Sequence, residues 1–168
     1  MPPLLSERIT ESMAAVRTSY HRLVVLVGPS HSGKTTALQQ VRDAANAPLV
    51  NVNIELSKRL LDLTERQRSL QIPRLLDQIV GETGPDEVLL DNNEILFDVH
   101  LKQDPLRIFQ GLSRSRTIVV SWNGRTNAES LFYATPDHPE FRRYPLRDLT
   151  VVMVENANQP CQPKEQNR

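Results

Sequence analysis

A glycine-bounded loop between an apolar run and a polar segment is the strongest constraint on the fold. Residues 28–35 read Gly-Pro-Ser-His-Ser-Gly-Lys-Thr, and they follow residues 23–27, which are all apolar. The spacing G-x-x-x-x-G-K-[ST] between a buried strand and a helix is typical of a P-loop, whose backbone amides turn inward on a phosphate. The sequence therefore predicts a strand, a phosphate-binding loop and a helix that begins near Lys34.

Each part of this loop has an expected role in binding ATP with Mg²⁺. Lys34 supplies a mobile positive charge for the β- and γ-phosphates, and Thr35 offers its hydroxyl to Mg²⁺. Gly33 lets the backbone approach a phosphate, whereas His31 lies at a variable position and is favoured as a tolerated side chain over a catalyst. The residues expected to contact the nucleotide are Gly28, Pro29, Ser30, His31, Ser32, Gly33, Lys34, Thr35 and Thr36.

Further apolar runs alternate with helical patterns along the chain. The predicted strands are residues 23–27, 49–52, 87–91, 117–121 and 149–154, and an amphipathic helix is predicted at residues 6–20. Strands that alternate with helices form right-handed βαβ units. The expected fold is an α/β P-loop NTPase sandwich of three layers, with a mainly parallel five-stranded sheet. We expect one domain at residues 1–154 and a disordered polar tail at residues 155–168.

The segment at residues 55–81 has helical spacing but contains two candidate break points. Thr64 and Gln67 form a capping-box pattern, and Pro73 suits the first turn of a second helix. We therefore expect a break near one of these two positions.

A second carboxylate is needed to complete the magnesium site of a P-loop. Asp91 ends an apolar strand and is expected to hold Mg²⁺ together with Thr35. Asn92 stands where a glutamate directly follows the aspartate in many ATPases. Glu94 is the nearest remaining carboxylate, and two roles stay open for it: activating the attacking water, or capping the next helix.

Polar and basic residues farther along the chain are candidates for the γ-phosphate. Asn123 ends the fourth predicted strand and is expected to bind the γ-phosphate or the attacking water, although Asn123-Gly124 is also a strong turn signal. Arg142 and Arg143 precede the fifth strand, and one of them is expected to reach the nucleotide of a neighbouring subunit. The predicted catalytic residues are Lys34, Asp91, Glu94, Asn123, Arg142 and Arg143.

Composition and charge indicate which cellular compartment and which kinds of binding partner to expect. The formal net charge is zero, which does not favour non-specific coating of DNA, although arginines concentrated between residues 107 and 147 leave a local DNA contact open. The start of the chain lacks the pattern of a signal peptide, and the lone Cys161 fits a reducing compartment. We expect a cytoplasmic protein with no membrane association and with a homo-oligomeric assembly.

Beyond the loop, the chain resembles the BrxF family, the small P-loop proteins of type III BREX phage-defence systems in bacteria. The resemblance lies in residues 26–35, 51–57, 63–67, 89–95, 102–106, 110–114, 122–124 and 138–145, and it covers residues 23–154. It implies an AAA+-like ATPase core that works with the other BREX proteins. It also places the phosphate-binding role on residues 28–35 and the acidic magnesium-binding role on Asp91. The C-terminal helical lid of ordinary AAA+ proteins, with its arginine, is expected to be missing.

Three functions remain open from the sequence. A Mg²⁺-dependent ATPase with sites shared between subunits is favoured. The second is a nucleotide-dependent assembly or recruitment switch with little turnover, suggested by Asn92 in place of a glutamate. A small-molecule kinase is the least favoured, because no acceptor pocket is evident in the sequence.

Overall fold

The computed structural model describes residues 2–154 and has a parallel sheet at its centre. Its five parallel strands are β1 (Leu23–Gly28), β2 (Leu49–Asn51), β3 (Glu87–Asp91), β4 (Thr117–Thr126) and β7 (Thr150–Met153). Their order across the sheet is β2-β3-β4-β1-β7. All five predicted parallel strands are therefore present. Because they are parallel, their carboxyl ends meet at one edge, where open α/β sheets place their ligands.

Helices cover both faces of this sheet. They are α1 (Leu5–Ala15), α2 (Lys34–Ala45), α3 (Val52–Leu60), α4 (Glu65–Glu82) and α5 (Pro105–Leu112). Short 3₁₀ helices occur at Val16–Thr18, Glu94–Phe97 and Val99–Leu101. The predicted N-terminal helix is thus shorter than residues 6–20, because its last turn is a 3₁₀ helix. No helix within residues 2–154 combines the length and apolarity needed to cross a membrane.

Strand β1 is buried on both sides, and this burial creates the three layers. Val25 and Val27 pack into the larger apolar cluster together with α3, α4 and α5. Val24 and Leu26 point to the opposite face and pack with α1 and α2. A wholly apolar strand with helices on both faces is what a buried parallel strand requires. The fold is therefore a P-loop NTPase-like three-layer sandwich, as predicted.

Helix α4 differs from the prediction at Pro73. The capping box at Thr64 and Gln67 is present, so the first break point is correct. The proposal that Pro73 opens a second helix was wrong, because Pro73 lies inside α4. Proline has no backbone N–H, so the carbonyl of Ser69, four residues earlier, loses its helical partner. The side-chain amide of Gln103 donates to that carbonyl over 2.7 Å, which satisfies it within an unbroken helix.

An antiparallel hairpin enlarges the sheet from the five predicted strands to seven. Strand β4 does not end at residue 121 but continues to Thr126, where it pairs with β5 (Ser130–Tyr133). Strand β5 then pairs with β6 (Arg142–Pro145). The turn between β4 and β5 is stabilised by Asn127, whose side-chain oxygen accepts from the backbone N–H groups of residues 129 and 130. We refer to β4 from residue 123 onward, β5, β6 and their connecting loops as the hairpin unit.

Gly124 is needed inside this hairpin unit because β5 passes very close to it. A Cβ at residue 124 would lie 1.8 Å from the carbonyl oxygen of Phe132. We expect Gly124→Ala to lower the free energy of unfolding by about 3 kcal/mol, the upper end of ordinary overpacking costs. Gly111→Ala is the matched control, because a Cβ there meets nothing within 4 Å in α5, and it should raise stability by up to about 1 kcal/mol. Urea unfolding of both variants tests this, and equal stabilities would contradict it.

The assignment of residues 1–154 to one domain stays a prediction. The predicted disordered tail at residues 155–168, with Cys161, lies outside the described residues.

Candidate nucleotide-binding site

The predicted phosphate-binding loop lies at the carboxyl edge of the sheet. It joins the end of β1 to the start of α2, and two of its residues, His31 (φ 60°) and Gly33 (φ 94°), adopt left-handed backbone conformations. The amino end of α2 carries the positive end of the helix dipole and free backbone N–H groups. A cleft of about 600 Å³, here called the phosphate cleft, is lined by residues 30–36 together with Asp91, Asn92, Glu94 and Asn123.

Lys34 is buried at the base of this cleft, with 6% of its surface exposed. Its ammonium group donates to the carbonyl oxygens of Gly28 at 2.9 Å and Pro29 at 2.5 Å, and more weakly to Ser32 Oγ. Burial lowers the pKa of Lys34, while the nearby Asp91 and Glu94 carboxylates act in the opposite direction. A cation held this way in a partly desolvated site is poised to bind anionic oxygen atoms.

Thr35 and Asp91 form the oxygen pair predicted to hold Mg²⁺. Thr35 lies in the first turn of α2 and Asp91 ends β3, and Thr35 Oγ1 donates to Asp91 Oδ2 over 2.6 Å. Donors made only of oxygen fit Mg²⁺, which uses one or two protein oxygens and completes its shell with phosphate oxygens and water. Residues 2–154 contain no group of three or more His, Cys, Asp or Glu side chains suited to a metal ion. The pair therefore fits a magnesium ion that is also bound by a nucleotide.

Glu94 lines the phosphate cleft and is held by two asparagine amides. Asn53 Nδ2 donates to Glu94 Oε2 and Asn123 Nδ2 donates to Glu94 Oε1, both over 2.8 Å. The 3₁₀ helix that begins at Glu94 is not capped by the glutamate itself, because Asn53 Oδ1 accepts the backbone N–H of Ile95 at 2.9 Å. Of the two roles left open by the sequence, this geometry favours a carboxylate directed into the cleft.

The turn after Asp91 explains why asparagine follows the aspartate. Asn92 has a φ of 49°, a left-handed conformation that asparagine adopts more readily than most residues. Its carbonyl accepts the backbone N–H of Asn53 over 2.7 Å. Asn93 is buried and its amide donates to the carbonyl of Ser121 over 2.8 Å. These contacts turn the chain sharply and bring Glu94 back over the cleft.

Asn123 lies within strand β4 and does not form the turn that the Asn-Gly pair suggested. Its pairing partner in the parallel sheet is Gly28, the last residue of β1 and the first of the loop. Asn123 therefore lies beside the phosphate-binding loop, and its side-chain amide donates a hydrogen bond to Glu94.

The two predicted trans-acting arginines lie outside the phosphate cleft. Both are in β6, where Arg142 donates to the backbone carbonyl of Gln103 at 3.2 Å and Arg143 to Ser130 Oγ at 3.1 Å. Neither lines the cleft of its own subunit. Their role toward a neighbouring subunit stays a prediction.

Sequence reasoning missed two features of the site. The first is Asn53, although its position just after the second predicted strand marked it as a polar residue at the ligand-binding edge. The second is an adjoining cavity of about 840 Å³, here called the hairpin cavity, which the hairpin unit creates. Its lining includes Ser30, Glu94 and Asn123, which also line the phosphate cleft.

The fold and the loop together define the class of this protein as a P-loop NTPase-like sandwich. No protein-family model and no curated protein matches the sequence. Among solved structures, the chain is similar to PCH-2 from C. elegans, with 17% identity and a TM-score of 0.40. The alignment covers 89% of this chain and 40% of that one, so this chain spans less than half the length of the PCH-2 chain.

Proposed function

We propose that this protein binds ATP with Mg²⁺ and hydrolyses the bond to the γ-phosphate. The observation that carries the proposal is that Glu94, whose carboxylate is held by two amides, lines the same cleft as Lys34 and the Thr35–Asp91 pair. A phosphate cradle, an oxygen pair for Mg²⁺ and an oriented carboxylate are the parts that phosphoryl transfer to water requires.

Each side chain has a defined task in this proposal. Lys34 leaves the carbonyl oxygens that it now contacts and binds phosphate oxygens, because a charge-assisted hydrogen bond to an anion is stronger than one to a neutral carbonyl. Thr35 and Asp91 hold Mg²⁺, which neutralises charge on the phosphates when bound. Glu94 accepts a proton from the attacking water, and Asn53 and Asn123 keep its two oxygens directed toward that position.

Steady-state phosphate release from ATP tests the proposal directly. We expect release that requires Mg²⁺ and stops on chelation with EDTA. Binding of ATP should itself be measured by calorimetry under the same conditions. A protein that binds no ATP and releases no phosphate would refute the proposal.

A nucleotide-dependent switch with little turnover is the second candidate. The observation that favours it is that both oxygens of Glu94 already accept hydrogen bonds from asparagine amides, which leaves fewer lone pairs to accept a hydrogen bond from water. Asn92 also replaces the glutamate that would follow the aspartate in many ATPases. Tight, Mg²⁺-dependent binding of ATP with phosphate release no faster than background would support the switch over the enzyme.

We propose further that the protein is a cytoplasmic subunit of a bacterial BREX anti-phage system and acts with the other proteins of that system. Its support is the sequence resemblance over residues 23–154, which includes the turn at residues 89–95 that carries Asp91 and Glu94. Phage plating on cells that carry the complete system tests this role. A Lys34→Met substitution should abolish protection, and protection equal to wild type would contradict it.

Assembly through the nucleotide sites is part of the same proposal, with Arg142 or Arg143 reaching the neighbour's γ-phosphate. Support comes from the location of both residues on β6, which pairs only with β5 among the strands of residues 2–154. Mass measurement in solution with and without ATP and Mg²⁺, for wild type and for the double Arg→Ala variant, tests it. A monomer under every condition would refute shared sites.

DNA contact through the arginines of residues 107–147 is tested by a binding titration at low salt.

A further inference from the structure

The hairpin cavity opens onto the part of the phosphate cleft where Glu94 lies. Glu94, Asn123 and Ser30 line both spaces, so they form the boundary between them. Lys34, Thr35 and Asp91 line the phosphate cleft but not the hairpin cavity. A group in the hairpin cavity therefore approaches a bound nucleotide from the side of Glu94, the proposed base for the attacking water, which in the proposed function is the γ-phosphate side.

Arg125 is the arginine that lines this cavity. It follows Asn123 by two residues on β4, so the two side chains lie on the same face of the strand, with Cα atoms about 7 Å apart. Asn123 contacts Glu94 directly. The backbone thus places Arg125 on the same strand face as Asn123, and both residues line the hairpin cavity.

The guanidinium of Arg125 is exposed and rests on an aromatic ring. Phe132 on β5 is the cross-strand partner of Arg125, and the central carbon of the guanidinium lies 4.3 Å from the centre of the Phe132 ring. Within residues 2–154, no carboxylate pairs with Arg125 and no hydrogen bond holds it. An exposed cation–π contact is weaker than the charge-assisted hydrogen bonds that a guanidinium makes to phosphate oxygens. Phosphate oxygens would therefore compete successfully for this side chain.

The other arginines of the hairpin unit are placed differently. Arg142 projects to the opposite face, where it donates to the carbonyl of Gln103. Arg143 lies across β5 from Arg125, donates to Ser130 Oγ, and is not part of the cavity lining. Arg125 alone combines an unpaired guanidinium with a place beside Glu94 and Asn123.

We propose that Arg125 binds the γ-phosphate of the nucleotide held in its own subunit, acting in cis from the hairpin unit. The inference rests on the proposed nucleotide function. It assigns to Arg125 the recognition of the γ-phosphate, which ATP has and ADP lacks. Arg125 leaves the Phe132 ring and enters the hairpin cavity when a γ-phosphate is present. Its planar guanidinium then donates two hydrogen bonds to phosphate oxygens, which stabilises the charge that develops during transfer.

Comparing the affinities for ATP and ADP tests the assignment. Arg125→Ala should weaken binding of ATP with Mg²⁺ at least tenfold and leave ADP affinity unchanged, because ADP has no γ-phosphate. Arg125→Lys should recover only part of the loss, since lysine binds phosphate as a point charge. Arg147→Ala is the matched control, because that arginine is exposed, with 90% of its side chain accessible, and lies outside both the cleft and the cavity. Equal affinities for ATP in wild type and Arg125→Ala would overturn the proposal, as would equal weakening of ATP and ADP.

Mixing two variants separates action in cis from action in trans. Arg125→Ala subunits keep an intact cradle, and Lys34→Met subunits keep an intact Arg125. If Arg125 acts in cis, an excess of Lys34→Met subunits restores neither ATP affinity nor phosphate release. Restoration in the mixture would overturn the cis assignment. Failure of the wild-type protein to bind either nucleotide would instead refute the proposed function, so the two failures are distinguishable.

Discussion

Lys34→Met is expected to weaken the binding of ATP by about 100-fold or more, equivalent to about 2.8 kcal/mol at 1.4 kcal/mol per tenfold change. Lys34 is the only lysine or arginine among the residues that line the phosphate cleft. Methionine keeps the length of the apolar stem but removes the charge and all three hydrogen bonds to the loop. Calorimetry with ATP and Mg²⁺ measures the loss, and binding within threefold of wild type would contradict the proposed role.

The stability of Lys34→Met without nucleotide shows whether its loss of ATP binding comes from misfolding. Burial lowers the pKa of Lys34, so the charged lysine is less favourable in the folded chain than in the unfolded chain. Without nucleotide, the variant should therefore be no less stable than wild type in urea. Between the lowered pKa and the ordinary value of 10.5, the unfolded chain binds more protons at this site than the folded one. The stability of wild type relative to Lys34→Met should accordingly rise as the pH rises through that interval.

Glu94→Gln also has a large expected effect, but it acts on turnover and not on the binding of ATP. Removing a general base lowers turnover by about 10²–10⁴-fold, whereas binding of ATP should remain close to wild type. Glutamine fits the same position. Its oxygen accepts from Asn53, whose own oxygen is fixed by Ile95, and its amide donates to Asn123 once that amide rotates by 180°.

Single-turnover phosphate release together with calorimetry separates the two effects. Glu55→Gln is the matched control, because Glu55 lies on α3 close to Asn53 in sequence and pairs only with Lys58 among the described residues. That variant should turn over at the wild-type rate. Wild-type turnover in Glu94→Gln would remove Glu94 from the mechanism and would leave the switch as the better description.

Local sequence patterns predicted the parallel core because its strands are buried on both faces. A run such as residues 23–27 has few alternatives once Gly28 and the helix signal follow it. The hairpin unit was not predicted, since the Asn123-Gly124 pair indicated a turn. In the structure Gly124 is required by the close approach of the Phe132 carbonyl, a long-range contact that no local pattern reports.

Local sequence patterns also predicted part of the nucleotide-binding site. The loop and Asp91 lie next to recognisable strand ends, so their positions follow from local patterns. The contact between Asn53 and Glu94 joins residues 41 positions apart, and it depends on β2 and β3 lying side by side. Arg125 was not predicted as a site residue, because its position in the hairpin cavity with Glu94 depends on β4 continuing beyond the parallel sheet.

The proline in α4 has a mechanical consequence for the whole molecule. Because Pro73 leaves the Ser69 carbonyl without a helical donor, the side chain of Gln103 is recruited to it, and the backbone carbonyl of Gln103 in turn receives Arg142 from β6. One residue thus fastens the middle of a long helix to the outermost strand of the hairpin unit. The proline thereby contributes indirectly to tethering the hairpin unit, because the hydrogen bond to the Ser69 carbonyl helps to hold the residue that Arg142 contacts.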